Sequence, residues 1–183
     1  LFKKLYFLYN IYVRNYKHLN KSSQFGEDDY ILDLFEKEYK GFYLDIGCYH
    51  PTKHNNTYKM YKQGWRGINV DLNQFTIDLF NFLRSKDINI NSAISDDGNT
   101  KELFFLNELN TENTIDKNHI NFLLNYHNVK DYEITKKKIK SRTFSDIINT
   151  YNIKKIDFLN LDVEGHEINI IKTIDFKNLF IDV

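Results

Sequence analysis

Two short apolar segments separated by a polar stretch constrain the fold of this chain more than any other feature. The first, residues 42–46, is followed by Gly47, and the second, residues 68–70, is followed by Asp71. A helix is expected between them over residues 58–63, since polar capping residues precede it and a glycine follows it. Two buried strands joined by a helix form a βαβ unit, and ligands of open parallel sheets bind beyond the carboxyl ends of the strands. Gly47 and Asp71 are therefore expected to border a ligand site.

The residues at these strand ends fit a nucleoside. A glycine after the first strand lets the backbone turn sharply and approach a ligand closely, so Asp45 and Gly47 would shape the site. Asp71 lies 24 positions after Gly47, near the roughly 20 that separate turn and ribose-binding carboxylate in nucleoside folds. The turn lacks both the G-x-G-x-x-G pattern of dinucleotide sites and the P-loop pattern. A nucleoside without phosphates is favoured, and S-adenosylmethionine is the common one.

Composition limits the class of protein and its partners. The 183 residues fit one domain, and 42% hydrophobic with 16% aromatic residues provide material for a globular core. Lys plus Arg and Asp plus Glu balance at 25 each, which disfavours nucleic acid as a partner. Cys48 is the single cysteine, which fits a reducing, cytoplasmic compartment. No apolar run reaches the roughly 18 residues of a membrane span, and a first residue other than Met suggests an excerpt with possible upstream and downstream domains.

Apolar and polar periodicity divides the chain into an N-terminal segment and one domain. Residues 1–21 read as a basic amphipathic segment that packs on its own domain or acts as a linker, and residues 22–183 read as the domain. Ser23 is expected to cap a helix that ends near Lys40. Further helices are predicted at 76–84, 116–126, 144–151 and 168–174, and further strands at 88–94, 101–106, 156–161 and 179–183. This alternation predicts an α/β fold with a doubly wound, mainly parallel sheet.

Several blocks, in order, resemble the FkbM-type family of S-adenosylmethionine-dependent methyltransferases from about residue 22 to the end of the chain. The blocks are Ser23-Gln-Phe-Gly-Glu-Asp28, Asp45-Ile-Gly47 with His50-Pro51, Asn56-Thr57-Tyr58, the segment 64–71, Asp87-Ile-Asn89 with Ala93-Ile-Ser95, and the segment 156–165. The resemblance implies the Rossmann-like fold of class I methyltransferases. That fold normally has two more strands, so the C-terminal strands are expected to be missing from this sequence.

The resemblance also implies further cofactor residues. The block that contains Phe25 and Glu27 lies beside the cofactor in the family, so both are candidates for lining it. Ser92 and Ala93 stand where family members hold the adenine. Asp162, in the block that follows the fourth strand, is a further candidate for contact with the cofactor.

Catalytic candidates cluster after that strand, whose end should face the same crevice. Asp162, Glu164 and His166 fall within five positions, and a positioned base typically accelerates such a reaction by 10²–10⁴-fold. His166 has a suitable unperturbed pKa of about 6.5, although the family commonly has a small residue there; Asp162 could instead orient the acceptor or support this histidine. The competing interpretation is that these groups cap the next helix. A divalent cation could bind them, but spacing within one loop is weak support, and no metal site is predicted.

The expected function is S-adenosylmethionine-dependent O-methylation of a sugar, glycan or small metabolite, as in polysaccharide assembly. His50, His54 and Asn56 are candidates for contact with the acceptor. One alternative is a non-catalytic S-adenosylmethionine-binding module within a larger glycan-processing protein. The other, an NAD-dependent oxidoreductase, is disfavoured by the missing glycine-rich turn.

Overall fold

A computed structural model describes residues 2–108, 110–127 and 129–183. The α-helices are Phe2–Leu8 (α1), Glu27–Leu32 (α2), Tyr58–Lys62 (α3), Gln74–Leu83 (α4), Lys117–Tyr126 (α5), Phe144–Thr150 (α6) and Glu167–Ile171 (α7). The strands are Phe42–Ile46 (β1), Arg66–Asp71 (β2), Ile88–Asn91 (β3), Ala93–Ile94 (β4), Lys101–Phe105 (β5), Thr135–Ile139 (β6), Ser141–Arg142 (β7), Lys155–Ile156 (β8), Phe158–Leu161 (β9) and Phe180–Ile181 (β10). A π-helical segment covers Tyr9–Arg14, and 3-10 turns cover Tyr16–Leu19 and Asp131–Glu133. Within these residues, no helix is long and apolar enough to cross a membrane.

The central sheet is parallel, with the strand order β3-β2-β1-β9. β8 directly precedes β9 and pairs with β10, also in parallel. Short pairs outside this sheet join β4 to β7 in parallel and β5 to β6 in antiparallel orientation. The expectation of an α/β fold built on a parallel sheet is confirmed; the doubly wound class and the missing C-terminal strands stay predictions.

The inner strands are buried on both faces. Leu44 and Ile46 of β1 face a cluster that includes Ile147 of α6 and Ile170 of α7. Tyr43, one position along the pleat, faces a second cluster with residues of α2 and α3. Because side chains alternate across a strand, β1 is nearly continuous in apolar residues, as strands covered on both sides are. Asp45, on the same side of the pleat as Tyr43, is the exception, and it lies next to the site.

The helix predicted after Ser23 is shorter and starts later than expected. α2 begins at Glu27, and its N-cap is Gly26, whose φ is +96°. The Ser23 hydroxyl instead donates to the buried Asp28 carboxylate and accepts the Gly26 N–H at 3.1 Å, so it holds the turn before the helix and does not cap the helix itself. The helix ends at Leu32, well before Lys40, and the segment that follows is held by the Tyr39 hydroxyl, which donates to Asp157 at 2.6 Å.

Two predicted strands are interrupted. The strand expected at 88–94 breaks at Ser92, whose N–H donates to the Asp71 carbonyl at 3.0 Å, and β4 then leaves the sheet to pair with β7. The strand expected at 156–161 breaks at Asp157, between β8 and β9. The Asp157 carboxylate at the second break accepts the Phe42 N–H at 2.7 Å, so contacts distant in sequence, which no local pattern encodes, occur at both breaks.

The N-terminal segment packs against α4. Phe7 and Ile11 are buried with Leu79, and Lys3 pairs with Asp78 at 2.7 Å. The opposite side of the segment exposes several large apolar side chains, among them Phe2. The assignment of residues 1–21 as a separate segment stays a prediction.

Candidate functional site

A cavity of about 660 Å³ opens beyond the carboxyl ends of β1, β2 and β9. Of the predicted site residues, its wall contains Asp45, Gly47, His54, Asn56, Asp71, Ser92, Ala93, Asp162 and Glu164. It also contains residues that were not among the predicted site residues, such as Gln24, Tyr49, Asn55, Glu112, Asn113 and Asn160. The fold thus brings most of the predicted residues into one space, at the edge of the sheet where ligands of such folds bind.

Gly47 lies where two strand ends meet. Its φ is +83°, and a Cβ added there would lie 1.7 Å from the Asp162 carbonyl oxygen. The Asp162 N–H donates to the Ile46 carbonyl at 2.9 Å, and the Gly47 N–H donates to the Val70 carbonyl at 2.9 Å. Glycine is therefore required both by the backbone conformation and by the close approach of the β9 end.

Asp45 is fully buried beneath the cavity floor. Its carboxylate accepts hydrogen bonds from Asn160 Nδ2 at 2.9 Å, Thr57 Oγ1 at 2.7 Å and Asn55 Nδ2 at 3.2 Å. Burial raises the pKa of Asp45 above its usual range, against the opposing effect of these donors and of Arg84. The carboxylate therefore orients two residues of the cavity wall, Asn55 and Asn160, together with the buried Thr57.

Arg84 is the buried cation of this network, and no sequence pattern predicted it, because it follows an ordinary apolar helix stripe. Its guanidinium donates to the Pro51 carbonyl at 2.6 Å, to Asn55 Oδ1 at 2.6 Å and to Thr57 Oγ1 at 2.8 Å. Asn55 and Thr57 therefore join the Arg84 cation to the Asp45 anion. A buried charge needs such compensation.

Asp71 is held in place by backbone groups. Its Oδ2 accepts the Tyr49 N–H at 2.9 Å, and its Oδ1 accepts the Asn73 N–H at 2.7 Å. Burial raises the pKa of this carboxyl to about 6, against those two hydrogen bonds and with a smaller contribution from the Asp45 charge. Each oxygen retains acceptor capacity, because a carboxylate offers about four lone-pair sites.

The smaller predicted groups fill the wall between these carboxylates. Ser92 is buried and its hydroxyl donates to the Ala93 carbonyl at 2.8 Å. Asn56 Nδ2 donates to Asn160 Oδ1 at 3.1 Å. His54 is exposed on the rim, with its ring edge-to-face with His18 at 5.2 Å between centroids.

Asp162 and Glu164 form a different environment on the opposite side. As far as the structure describes the chain, no donor bonds the Asp162 carboxylate, which is exposed to the cavity. Burial against surrounding atoms and the charges of Glu167, Asp45 and Glu112 raise the pKa of Asp162. Burial and the charges of Asp162 and Glu112 raise the pKa of Glu164 to about 7. Several carboxylates therefore lie close together at this end of the cavity, with few hydrogen-bond donors or cations to offset their charge.

Glu112 and His119 complete this end, and sequence reasoning missed both. His119 Nε2 lies 2.8 Å from Glu112 Oε2 and 3.8 Å from Glu164 Oε2. One ligating atom from each of the three residues lies within 4.8 Å of the others, close enough to hold a metal ion. Glu112 stands in an aperiodic polar loop and His119 on the first turn of α5, so no spacing rule connects either of them to Glu164.

Other predicted site residues lie outside the cavity wall as the described residues form it. His50 is buried, its Nδ1 accepts the Lys53 N–H at 3.1 Å, and burial together with the Lys53 charge lowers its pKa to about 3. His166 Nε2 lies 3.4 Å from Asp96. Glu27 accepts the N–H of Phe25 at 2.8 Å, and the Phe25 ring points to solvent. The structure therefore does not bring these residues to the space that Asp71 and Asp162 share.

A polar cavity at the carboxyl ends of parallel strands defines the class: an α/β protein with its ligand site at the sheet edge. The family model of the methyltransferase FkbM domain matches residues 45–183, more than half of the chain. The chain belongs to this family, which confirms the resemblance found in the sequence and indicates methyltransferase activity. Comparisons with curated proteins and with solved structures found no match.

Proposed function

We propose that this protein is an S-adenosylmethionine-dependent O-methyltransferase that acts on a hydroxyl of a sugar, a glycan or a small metabolite. The observation that carries the proposal is the tethered Asp71 carboxylate in the wall of the cavity. Its two oxygens are fixed by backbone N–H groups and still offer lone pairs. This arrangement suits a ribose diol, in a chain that belongs to a methyltransferase family.

The turn after β1 favours a nucleoside over a dinucleotide. The N–H groups of Gly47 and Cys48 both donate to the Val70 carbonyl, and that of Tyr49 donates to Asp71. A pyrophosphate would need free N–H groups at a helix N-terminus. Here they are consumed, and α3 begins only at Tyr58. This supports the methyl donor against NAD.

The remaining cofactor contacts are assigned by position. Ser92 and Ala93 border the cavity beside Asp71 and would contact the adenine. Asp45 would act as a positioning residue through Asn160 and its other donors, because its own carboxylate is buried.

Bound S-adenosylmethionine would supply a methyl group for transfer from its sulfur, which keeps the electron pair, to the acceptor oxygen. The chain must align the acceptor, an effect that can contribute roughly 7–11 kcal/mol. It must also accept the hydroxyl proton, and Asp162 is the proposed base because its carboxylate faces the cavity without a bonded donor among the described residues. Asn56 and His54, on the neighbouring rim, are the proposed acceptor contacts.

Calorimetric titration with S-adenosylhomocysteine, the demethylated product, tests the cofactor assignment, with NAD as the control ligand. We expect binding of the first alone. Asp71→Ala should weaken it by about 1–3 kcal/mol, the usual loss for a charged hydrogen-bond partner, whereas Glu27→Ala should leave it unchanged. Equal affinity in folded Asp71→Ala would overturn the ribose assignment.

Release of S-adenosylhomocysteine in the presence of hydroxylated acceptors then tests turnover. Product binding without turnover on any sugar or metabolite of a broad panel would instead support the non-catalytic binding module.

A further inference from the structure

We propose that Glu112, His119 and Glu164 form a binding site for a divalent first-row metal ion at the end of the cavity opposite Asp71. The sequence predicted no metal site, and the one combination that it offered was Asp162, Glu164 and His166. The structure separates that combination, because His166 turns towards Asp96.

The distances fit one shared ion. Nitrogen and oxygen ligands lie about 2.0–2.2 Å from such metals, so neighbouring ligand atoms are separated by about 3 Å. His119 Nε2 stands 2.8 Å from Glu112 Oε2 and 3.8 Å from Glu164 Oε2, and all three ligating atoms lie within 4.8 Å. Small side-chain rotations would therefore bring the three atoms around one ion.

Local hydrogen bonds hold the backbone under all three ligands. Asn110 Oδ1 accepts the Glu112 N–H at 2.7 Å. Asp116 caps α5 by accepting the His119 N–H at 3.2 Å. Thr114 Oγ1 donates to the Glu164 carbonyl at 2.9 Å, which ties the loop that carries Glu112 to the loop that carries Glu164. The three ligand-bearing segments are therefore fixed relative to one another.

The charges at this end also favour a cation. Among the described residues, neither Glu112 nor Glu164 forms an ion pair with Lys or Arg, and the imidazole of His119 is their basic neighbour. Asp162 adds a third carboxylate nearby, whose charge acts on Glu164. A bound divalent ion would neutralise this excess of negative charge.

The ligand types select among metals. Calcium and magnesium prefer all-oxygen sites, and copper(I) prefers sulfur, whereas one imidazole with two carboxylates suits Mn²⁺, Fe²⁺ or Zn²⁺. Three protein ligands leave coordination positions open. Because Glu112 and Glu164 line the cavity, we place those open positions on its side.

The consequence for catalysis rests on the proposed methyl transfer. An acceptor hydroxyl bound at an open position would lose its proton more readily, as metal-bound water does. Asp162 would accept that proton while the methyl group moves from sulfur to the acceptor oxygen and sulfur keeps the electron pair of the broken bond.

Calorimetry of the chelator-stripped chain with MnCl₂ and with ZnCl₂, without any methyl donor, tests the site. We expect one ion per chain for both metals and weaker binding of MgCl₂. His119→Asn and Glu164→Gln should each weaken binding by about 100-fold or more, since changes to groups that only support ligands already cost 10–100-fold. The matched control His127→Asn, at the other end of α5, should bind as the unmodified chain does.

The outcomes separate this proposal from the methyltransferase assignment. Absent binding, or binding that His119→Asn leaves intact, would overturn the metal site even if S-adenosylhomocysteine still binds. If His166→Asn abolished metal binding and His119→Asn did not, the ion would instead bind the combination of Asp162, Glu164 and His166 that the sequence offered. If either ligand variant loses the circular dichroism of the folded chain, Glu112→Gln, which keeps the side-chain size, takes its place in the titration and should weaken metal binding in the same way.

Discussion

The two ends of the cavity are built on opposite principles. At the end formed by β1 and β2, Asp45 and Asp71 have their carboxylates bonded by protein donors, and a buried Arg84 balances the charge. At the end formed by the β9–α7 loop, burial and the charges of neighbouring carboxylates raise the pKa of both Asp162 and Glu164, and few donors compensate them. At the first end, protein groups already compensate the buried charges. At the second end, negative charge remains that a ligand, a proton or a cation can compensate.

This difference separates positioning from chemistry. Preorganised groups hold a ligand in one geometry, whereas uncompensated groups are available to react or to bind. Substitutions at the first end should therefore disturb folding or cofactor affinity, while substitutions at the second end should leave folding intact. The following experiments test that division, beginning with the largest expected effect.

Replacement of Arg84 should have the largest effect on stability. Arg84→Met would leave the Asp45 charge buried without its cation, and breaking a buried charge pair from one side costs about 3–5 kcal/mol. Urea unfolding measures the change. The control is Arg66→Met, because Arg66 also stacks on the Tyr61 ring but is only half-buried; we expect a loss below about 1 kcal/mol. Equal losses would contradict the special role of the buried network.

Gly47→Ala tests the contact between the two ends. The added Cβ would collide with the Asp162 carbonyl, and φ at this residue is +83°. We expect a loss of about 3 kcal/mol in the free energy of unfolding, which combines backbone strain and overpacking. Gly26→Ala provides the control, since φ is +96° there but nothing lies within 4 Å of the added atom. It should lose only the strain, about 1–2 kcal/mol, and a matching loss at both sites would argue against the collision.

The protonation of Asp71 should make cofactor affinity depend on pH. Its pKa lies at about 6 in the free protein, and the ribose hydroxyls need an ionised acceptor. Below pH 6 binding must therefore displace a proton, so the affinity for S-adenosylhomocysteine should fall roughly tenfold at one pH unit below the pKa. Titrations at pH 7.5 and pH 5 measure this fall. Asp71→Ala should show no such dependence, and a persistent fall in that variant would assign it to another group.

The two ends also differ in how far the sequence predicts them. Gly47 and Asp71 follow short apolar runs, so their places at the strand ends could be read from local pattern alone. Arg84 could not, because its burial depends on Pro51, Asn55 and Thr57, which are distant in sequence. Local patterns locate elements, whereas compensation of a buried charge is a property of the assembled fold.

At the second end, the sequence found the loop but not its neighbours. Asp162 and Glu164 follow a predicted strand and do line the cavity, while His166 turns away from it. Glu112 and His119 reach Glu164 through a loop without periodicity. The Ser23 cap was wrong for a related reason, since the Ser23 hydroxyl bonds the buried Asp28 carboxylate and the Gly26 N–H in the turn before α2. In each of these cases, the position of the side chain depends on a contact in the folded chain that local sequence pattern does not predict.

The smallest expected effect concerns Glu164. With a chelator present and the pH well above the Glu164 pKa of about 7, Glu164→Gln removes one negative charge from the crowded end, and the distance of 3.8 Å to His119 gives little attraction to lose. We expect the free energy of unfolding to rise by about 0.5 kcal/mol, the scale of a partly exposed charge pair. Glu38→Gln, at an exposed position, is the control and should change nothing. With Mn²⁺ added, the unmodified chain should become more stable than Glu164→Gln, because an ion that binds only the folded unmodified chain stabilises it by mass action. If Glu164→Gln were less stable than the unmodified chain in chelator, protein groups would already compensate the Glu164 charge, as they do at the first end.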